Sequence, residues 1–375
     1  MLQFVNTLSR VDGGPAQHAW NLNQALNQVR DEPVQLISIG ARTDDCVASM
    51  RLQRAVAQPH MEPLFAANGA SGRPSLGLWR ALRRIRHADA VIVHGYFLWW
   101  VPLVVLSATA WSVPVTLMPH GALNEYDLRK RSTAKRLWSS VIGVWLDRQL
   151  ATVVVASENE ASQVRQRGRF RSVTAVGAGS RVTGRLRTLG PVHDPLELVS
   201  ISRIAPKKRL DLALRCVSEL SDRGRGVHLT IAGTGDEELV SELVSMADDL
   251  GIAELVDFVG QLDTDAINAA LQGADVFLAP SDDENFGIAT AEAMVAGVPV
   301  VASSAVDAAM FIQTTGAKVL KDVSPRLLAD AVEELADNDE FTTLSRGLSL
   351  EAAAAFSWQA VAQRWSAALD GQLPG

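Results

Sequence analysis

The chain has 375 residues, 47% of them hydrophobic and 21% charged, with a formal net charge of −7. That balance excludes disordered, collagen-like and disulfide-scaffold chains, and the length exceeds one ordinary core, so two globular domains are expected. The charge is unevenly held: residues 1–195 carry 23 Lys and Arg against 13 Asp and Glu, and the remainder 12 against 29, balances of +10 and −17.

From the N-terminus, LQFVNT reads as a strand, without the basic stretch and apolar core of a secretion signal. Gly13-Gly14-Pro15-Ala16 follows it. VQLISIG and AVIVHG are the next apolar runs, the second containing His94. Phe97–Leu117 carries no charge and is long enough to span a bilayer, but Pro102 and Pro114 interrupt it. It reads instead as a buried helix followed by a buried strand. VPVTLMPHG brings His120 to a strand end, and TVVVAS closes the first series.

Gly190, Pro191 and Pro195 punctuate a polar link between Leu189 and Leu196, so a domain boundary is placed there. The first domain expected is 1–190, with the second beginning at residue 191. A second series follows: LELVSIS, VHLTIAG, LVDFVG, ADVFLAP and VPVVAS. Short, continuously apolar strands alternating with amphipathic helices imply parallel sheets covered on both faces, hence two doubly wound α/β domains.

Cys46 and Cys216 lie far apart, which fits a reducing, cytoplasmic setting. Basic clusters stand at Arg83, Arg84 and Arg86, at Arg129–Arg131 with Lys135 and Arg136, and at Arg165, Arg167, Arg169 and Arg171. No recognition motif accompanies them, so nucleic acid is not an expected partner. An anionic membrane surface, met from its inner face, or a phosphorylated acceptor is.

Ligands of open parallel sheets bind beyond the carboxyl ends of the strands. After LELVSIS come Arg203 and Lys208, two cations at a helix start, where the dipole disfavours them and a multiply charged anion such as a diphosphate would suit them. Gly233-Thr234-Gly235-Asp236 could approach a phosphate, and the backbone at Gly260-Gln261 could pair with a flat heterocycle. After ADVFLAPS the loop reaches Glu284; Asn285-Phe286-Gly287-Ile288 is expected to open a helix that carries Glu292. Eight residues are close to a whole number of helical turns, which would put both carboxylates on one face, roughly 12 Å apart. Two acids so separated suit a ligand with a hydroxyl-bearing group at each end of a diphosphate, and are too far apart for glycosidase chemistry.

The segment SDDENFGIATAEAMVAGVPVVAS, preceded by SRIAPKKRLDL and AGTGD, closely resembles the retaining glycosyltransferases of family 4, which have the GT-B fold. Its most specific part is Glu284-x7-Glu292. Gly13-Gly14 resembles the family's glycine loop, and MPHG its strand-end histidine. The resemblance implies two Rossmann-like domains facing a cleft, the second spanning 191–356, with a final helix, 357–375, packing back on the first because AAAFSWQAVAQRWSAAL resembles the family's final helices. It implies a metal-independent, retaining transfer of a hexose from GDP-mannose or a UDP-hexose. It implies that Glu284 bonds the donor sugar and that Asn285, Phe286, Gly287 and Ile288 line it, chiefly through backbone. Glu292 would bind the ribose, Arg203 and Lys208 the leaving diphosphate, and Gly14 would admit the diphosphate closely. His120 would sit at the reaction centre, with His94 in a similar but less supported position. No cofactor beyond the nucleotide-sugar co-substrate is implied. The basic first half suggests a saccharide or lipid-linked saccharide acceptor for envelope or exported polysaccharide. The alternative is a non-catalytic sugar-nucleotide-binding partner subunit of the same fold.

Overall fold

The computed structural model describes residues 1–8, 14–41, 63–67, 75–123, 138, 142–167, 169–182, 184, 190–312 and 314–372. In chain order the elements begin β1 (Leu2–Val5), α1 (Gly14–Val29), β2 (Gln35–Ala41), β3 (Leu64–Ala67), α2 (Leu76–Arg84), β4 (Val91–His94) and α3 (Val101–Ala110). They continue β5 (Val115–Met118), α4 (Val144–Gln149), β6 (Thr152–Val155), α5 (Glu158–Gln166) and β7 (Val173–Ala175). The second series runs β8 (Leu196–Ile201), α6 (Leu210–Asp222), β9 (Val227–Ala232), α7 (Glu237–Asp249), β10 (Val256–Gly260) and α8 (Thr264–Gly273). It ends β11 (Val276–Ala279), α9 (Ile288–Ala296), β12 (Val300–Ser303), α10 (Asp307–Phe311), β13 (Ala317–Leu320), α11 (Pro325–Ala336), α12 (Phe341–Phe356) and α13 (Trp358–Leu369).

The chain divides into two compact units, Met1–Gly179 with Trp358–Gly375, and Ser180–Ser357. The division falls at Gly179, ahead of the Leu189–Leu196 link. The reason is local: Ser180 N–H already donates to Phe356 O at 2.8 Å, and Arg181 pairs with Glu292. The last helix, α13, belongs to the first unit. Arg364 Nε donates to Val176 O at 2.7 Å, and Arg30 reaches Ser366 and Asp370.

Each unit holds one sheet with every pairing parallel. The first is ordered β3-β2-β1-β4-β5-β6-β7, the second β10-β9-β8-β11-β12-β13. Central strands such as VIVH and VVAS are buried at every position because helices cover both faces, which is why they read as unbroken apolar runs. The uncharged Phe97–Leu117 segment becomes α3 and β5. Among the described residues, no helix is long and apolar enough to cross a membrane. The order reverses between β1 and β4 in one sheet and between β8 and β11 in the other. Loops diverge at such switch points and leave a crevice at the carboxyl edge.

Candidate functional site

In the second unit the switch point brings two oppositely charged loops together. The loop after β8 carries Arg203 and then a single 3-10 turn, Pro206–Lys208. The loop after β11 carries Asp282, Asp283 and Glu284. They are stitched by Asp282 N–H to Lys207 O at 2.8 Å. Lys207 Nζ meets Asp283 at 2.7 Å, Arg209 Nη1 meets Asp282 at 3.2 Å, and Lys208 Nζ contacts the Glu284 carboxylate. Lys208 is buried, and its charge is compensated by Glu284. Arg203 stays exposed at the rim.

The loop bearing Arg203 is held from beneath by the GTGD turn. A Cβ on Gly233 would lie 1.8 Å from Ser202 O, and one on Gly235 2.1 Å from Ile204 O. Those glycines are therefore required by close backbone approach to residues 202–204.

Beyond Glu284 the chain turns through Gly287, whose φ of 90° is the left-handed conformation that admits glycine most easily. Helix α9 starts only at Ile288, and no side chain caps its N-terminus. Glu284 is thus outside the helix. The expected helical face shared with Glu292 is not the relation between them. Glu292 lies one turn into α9, 1% exposed among Ala291, Ala293 and Met294. Arg181 Nε and Nη2 grip its two oxygens at 2.6 and 2.8 Å. Phe286 is core: its ring packs edge-on against Phe311 and Phe356, and its carbonyl accepts from Ala308 N–H. Gly260, with φ of 71°, accepts from Gly233 N–H at 2.7 Å.

In the first unit Gly13 lies outside the described residues, and Gly14 begins α1. His120 sits in the turn after β5 with φ of 53°, an unusual conformation for a residue with a Cβ. The turn is pinned by Glu160, on the first turn of α5, whose Oε1 accepts Gly121 N–H at 2.8 Å. His94, at the end of β4, places Nδ1 2.9 Å from His120 Nε2. His18 of α1 stands edge-on to both His120 and Trp358, at ring separations of 5.3 and 5.1 Å. Its Nε2 is buried without a hydrogen-bond partner. Burial drives all three imidazoles toward the neutral form. His18 is pushed down to about 4, and His94 and His120 fall well below the ordinary histidine value, repulsion from His18 adding to the effect at His94, and from His94 and His18 at His120. Among the described residues no group of three or more His, Cys, Asp or Glu could hold a metal.

The model of Glycosyltransferase Family 4 matches residues 12–176, and that of Glycosyl transferases group 1 matches residues 187–345. The chain belongs to the family 4 glycosyltransferases. A phosphatidyl-myo-inositol mannosyltransferase of Mycobacterium leprae is 35% identical over 162 residues, 42% of each chain. A D-inositol 3-phosphate glycosyltransferase of Corynebacterium diphtheriae is 30% identical over 184 residues, 48% of this chain and 43% of that one. The chain spans less than half the length of these relatives. The fold of Anabaena HepE in complex with UDP superposes with a TM-score of 0.74 at 16% identity, covering 99% of both chains. That likeness establishes the GT-B fold.

Within this family 4 chain, sequence reasoning overlooked Arg181, Glu160, His18, Gln3 and Asn23. Gln3 left a signal, as the one polar side chain in the apolar strand LQFV. Arg181 left none, because its partner is 111 residues away.

Proposed function

We propose that the protein transfers a hexose from a nucleotide sugar to a saccharide or lipid-linked saccharide, with retention and without a metal, in envelope or exopolysaccharide synthesis. The observation that carries this reading is the switch-point site of the second unit. It puts Lys208 against Glu284, Arg203 at the rim, and the open N-terminus of α9 beside them. Leaving-group departure builds negative charge on a diphosphate. Two cations and a helix N-terminus stabilise that charge as it develops. Glu284 would accept from a sugar hydroxyl, Glu292 from the ribose, and His120 would face the sugar. GDP-mannose and UDP-hexoses are both candidate donors.

An acceptor at an anionic membrane surface is favoured by one face of the first unit. Leu76 and Trp79 on α2, and Leu106 and Trp111 on and after α3, are each more than half exposed. Ser107 Oγ on α3 donates to Leu82 O on α2, which places the helices side by side. Arg80 and Arg83 share the α2 stripe with Leu76 and Trp79, at i, i+3, i+4 and i+7. Asp89 is the only acid between Ser75 and Leu123. Tryptophan beside arginine, without acids, suits an anionic interface.

The deciding experiment is transfer from UDP- and GDP-hexoses by wild type, Glu284→Gln and Lys208→Met. Loss of about 100-fold or more in both folded variants is expected. Nucleotide binding without any transfer by wild type would favour the non-catalytic partner subunit, and wild-type rates in both variants would displace the site.

A further inference from the structure

Gln3, on β1, is fully buried, and its side-chain Nε2 lies 2.8 Å from both the carbonyl of Ala19 and Nε2 of His94. Its Oε1 accepts from Asn23 Nδ2 at 3.0 Å, and Asn23 Nδ2 also donates to Val34 O at 2.8 Å. A backbone carbonyl only accepts, so Ala19 and Val34 each dictate which end of an amide is the NH2. The second hydrogen of Gln3 Nε2 then faces His94 Nε2, which must be the bare nitrogen. The one proton of a neutral His94 is on Nδ1, from which it donates to His120 Nε2 at 2.9 Å. The proton of His120 is left on Nδ1.

The ring geometry agrees. The His94 and His120 planes differ by 25° and their centroids are 5.1 Å apart. With nitrogens 2.9 Å apart, that separation is an edge-to-edge contact close to the ring planes, as a hydrogen bond requires, and not a face stack.

We propose that Gln3 and Asn23 are positioning residues that hold His120, through His94, as its Nδ1–H tautomer, so that the turn after β5 offers a bound sugar a hydrogen-bond donor and not a base. The catalytic consequence rests on the proposed placement of His120 beside the donor sugar; the tautomer does not. Moving the proton to His120 Nε2 would set two N–H groups against each other unless the whole relay reversed. Reversing Gln3 would aim its oxygen at the Ala19 carbonyl and its NH2 at that of Asn23. In a buried network each such mismatch is costly.

The test is a long-range 1H–15N spectrum of protein labelled with 15N-histidine, recorded near neutral pH without substrate, with His94→Asn and His120→Asn variants for assignment. Nδ1–H signatures at both His94 and His120 are expected. An Nε2–H signature at either one overturns the relay. Gln3→Glu keeps the shape but presents an acceptor to His94 Nε2, so both rings should shift to the Nε2–H form; unchanged tautomers in this variant also overturn it. In transfer assays Gln3→Glu should lower kcat about 10- to 100-fold, with a smaller change in KM for the donor. If Gln3→Glu does not fold, the wild-type spectrum decides alone. Wild-type turnover by His120→Ala, with the expected tautomers present, would overturn the proposed role of His120 and leave the relay standing.

Discussion

Arg181 closes on Glu292 with two side-chain bonds, at 2.6 and 2.8 Å, and its own backbone N–H adds a third contact at 3.3 Å. The carboxylate is 1% exposed while the guanidinium is 41% exposed, so one partner is committed to the core and the other can leave. Removing Arg181 strands a buried carboxylate. Arg181→Met should lower unfolding stability by about 1–3 kcal/mol, less than a wholly buried pair because water screens the arginine. Ribose hydroxyls would compete for the same two oxygens. The same variant should therefore bind whichever of UDP, GDP or ADP stabilises wild type several-fold more tightly. Urea unfolding and nucleotide titration give opposite signs if Glu292 is the ribose site; weakened binding would remove it from that role.

The glycines of the site should rank by what their missing side chain would strike. Gly233→Ala meets backbone and must move the loop bearing Arg203, a loss of about 3 kcal/mol or more. Gly287→Ala meets a side-chain methyl of Val306 at 2.6 Å rather than backbone, with Thr290 and Ala308 in ordinary contact, and pays chiefly for its left-handed backbone, about 1–2 kcal/mol. Gly260→Ala has φ of 71° and nothing within 4 Å, so about 1 kcal/mol is expected. Thermal unfolding of the three variants tests the order, and Gly260→Ala as the most damaging would refute it.

The central strands were legible because both faces are buried, and the edge strand β10 was legible as the run LVDFVG although some of its positions are exposed. β3, β7 and β13 were not anticipated, and each is an edge strand of three or four residues. An edge is paired on one side only and needs no long apolar run. Among the site residues, Lys208 and Glu284 could be read because charge in a strand-end loop is informative in itself. Their mutual contact could not, since it joins residues 76 apart. The helical spacing argument for Glu284 and Glu292 failed at Gly287, whose left-handed turn delays the helix. Gln3 and Asn23 escaped notice because a buried amide is informative only once its neighbours are known.

The face carrying Leu76, Trp79, Arg80, Arg83, Leu106 and Trp111 yields a membrane prediction that does not depend on catalysis. Vesicles containing anionic lipid should carry the protein in flotation, and neutral vesicles should not. Each arginine near the surface is worth on the order of 1 kcal/mol, so Arg80→Gln with Arg83→Gln should weaken binding about 10- to 30-fold. Trp79→Ala should weaken binding to anionic vesicles and leave its salt dependence intact. Equal flotation with neutral and anionic lipid would sink the electrostatic part.

The buried histidines make stability depend on pH in a definite direction. Their folded-state pKa values are depressed, to about 4 for His18 and well below the ordinary value for His94 and His120. The unfolded chain titrates near ~6.5. Below that pH it binds protons that the folded protein refuses, so stability is full above about 6.5 and declines as pH falls. For His18 the decline ends near a pH of about 4. Each histidine adds a slope of up to about 1.4 kcal/mol per pH unit. Urea unfolding at a series of pH values from about 7.5 to about 5 should show this fall, and His18→Asn should make it shallower. A flat profile over that window would mean that the three rings accept protons while folded. An imidazolium at His94 would put a proton on the nitrogen facing Gln3 Nε2, which the amide of Gln3 has no spare acceptor to receive.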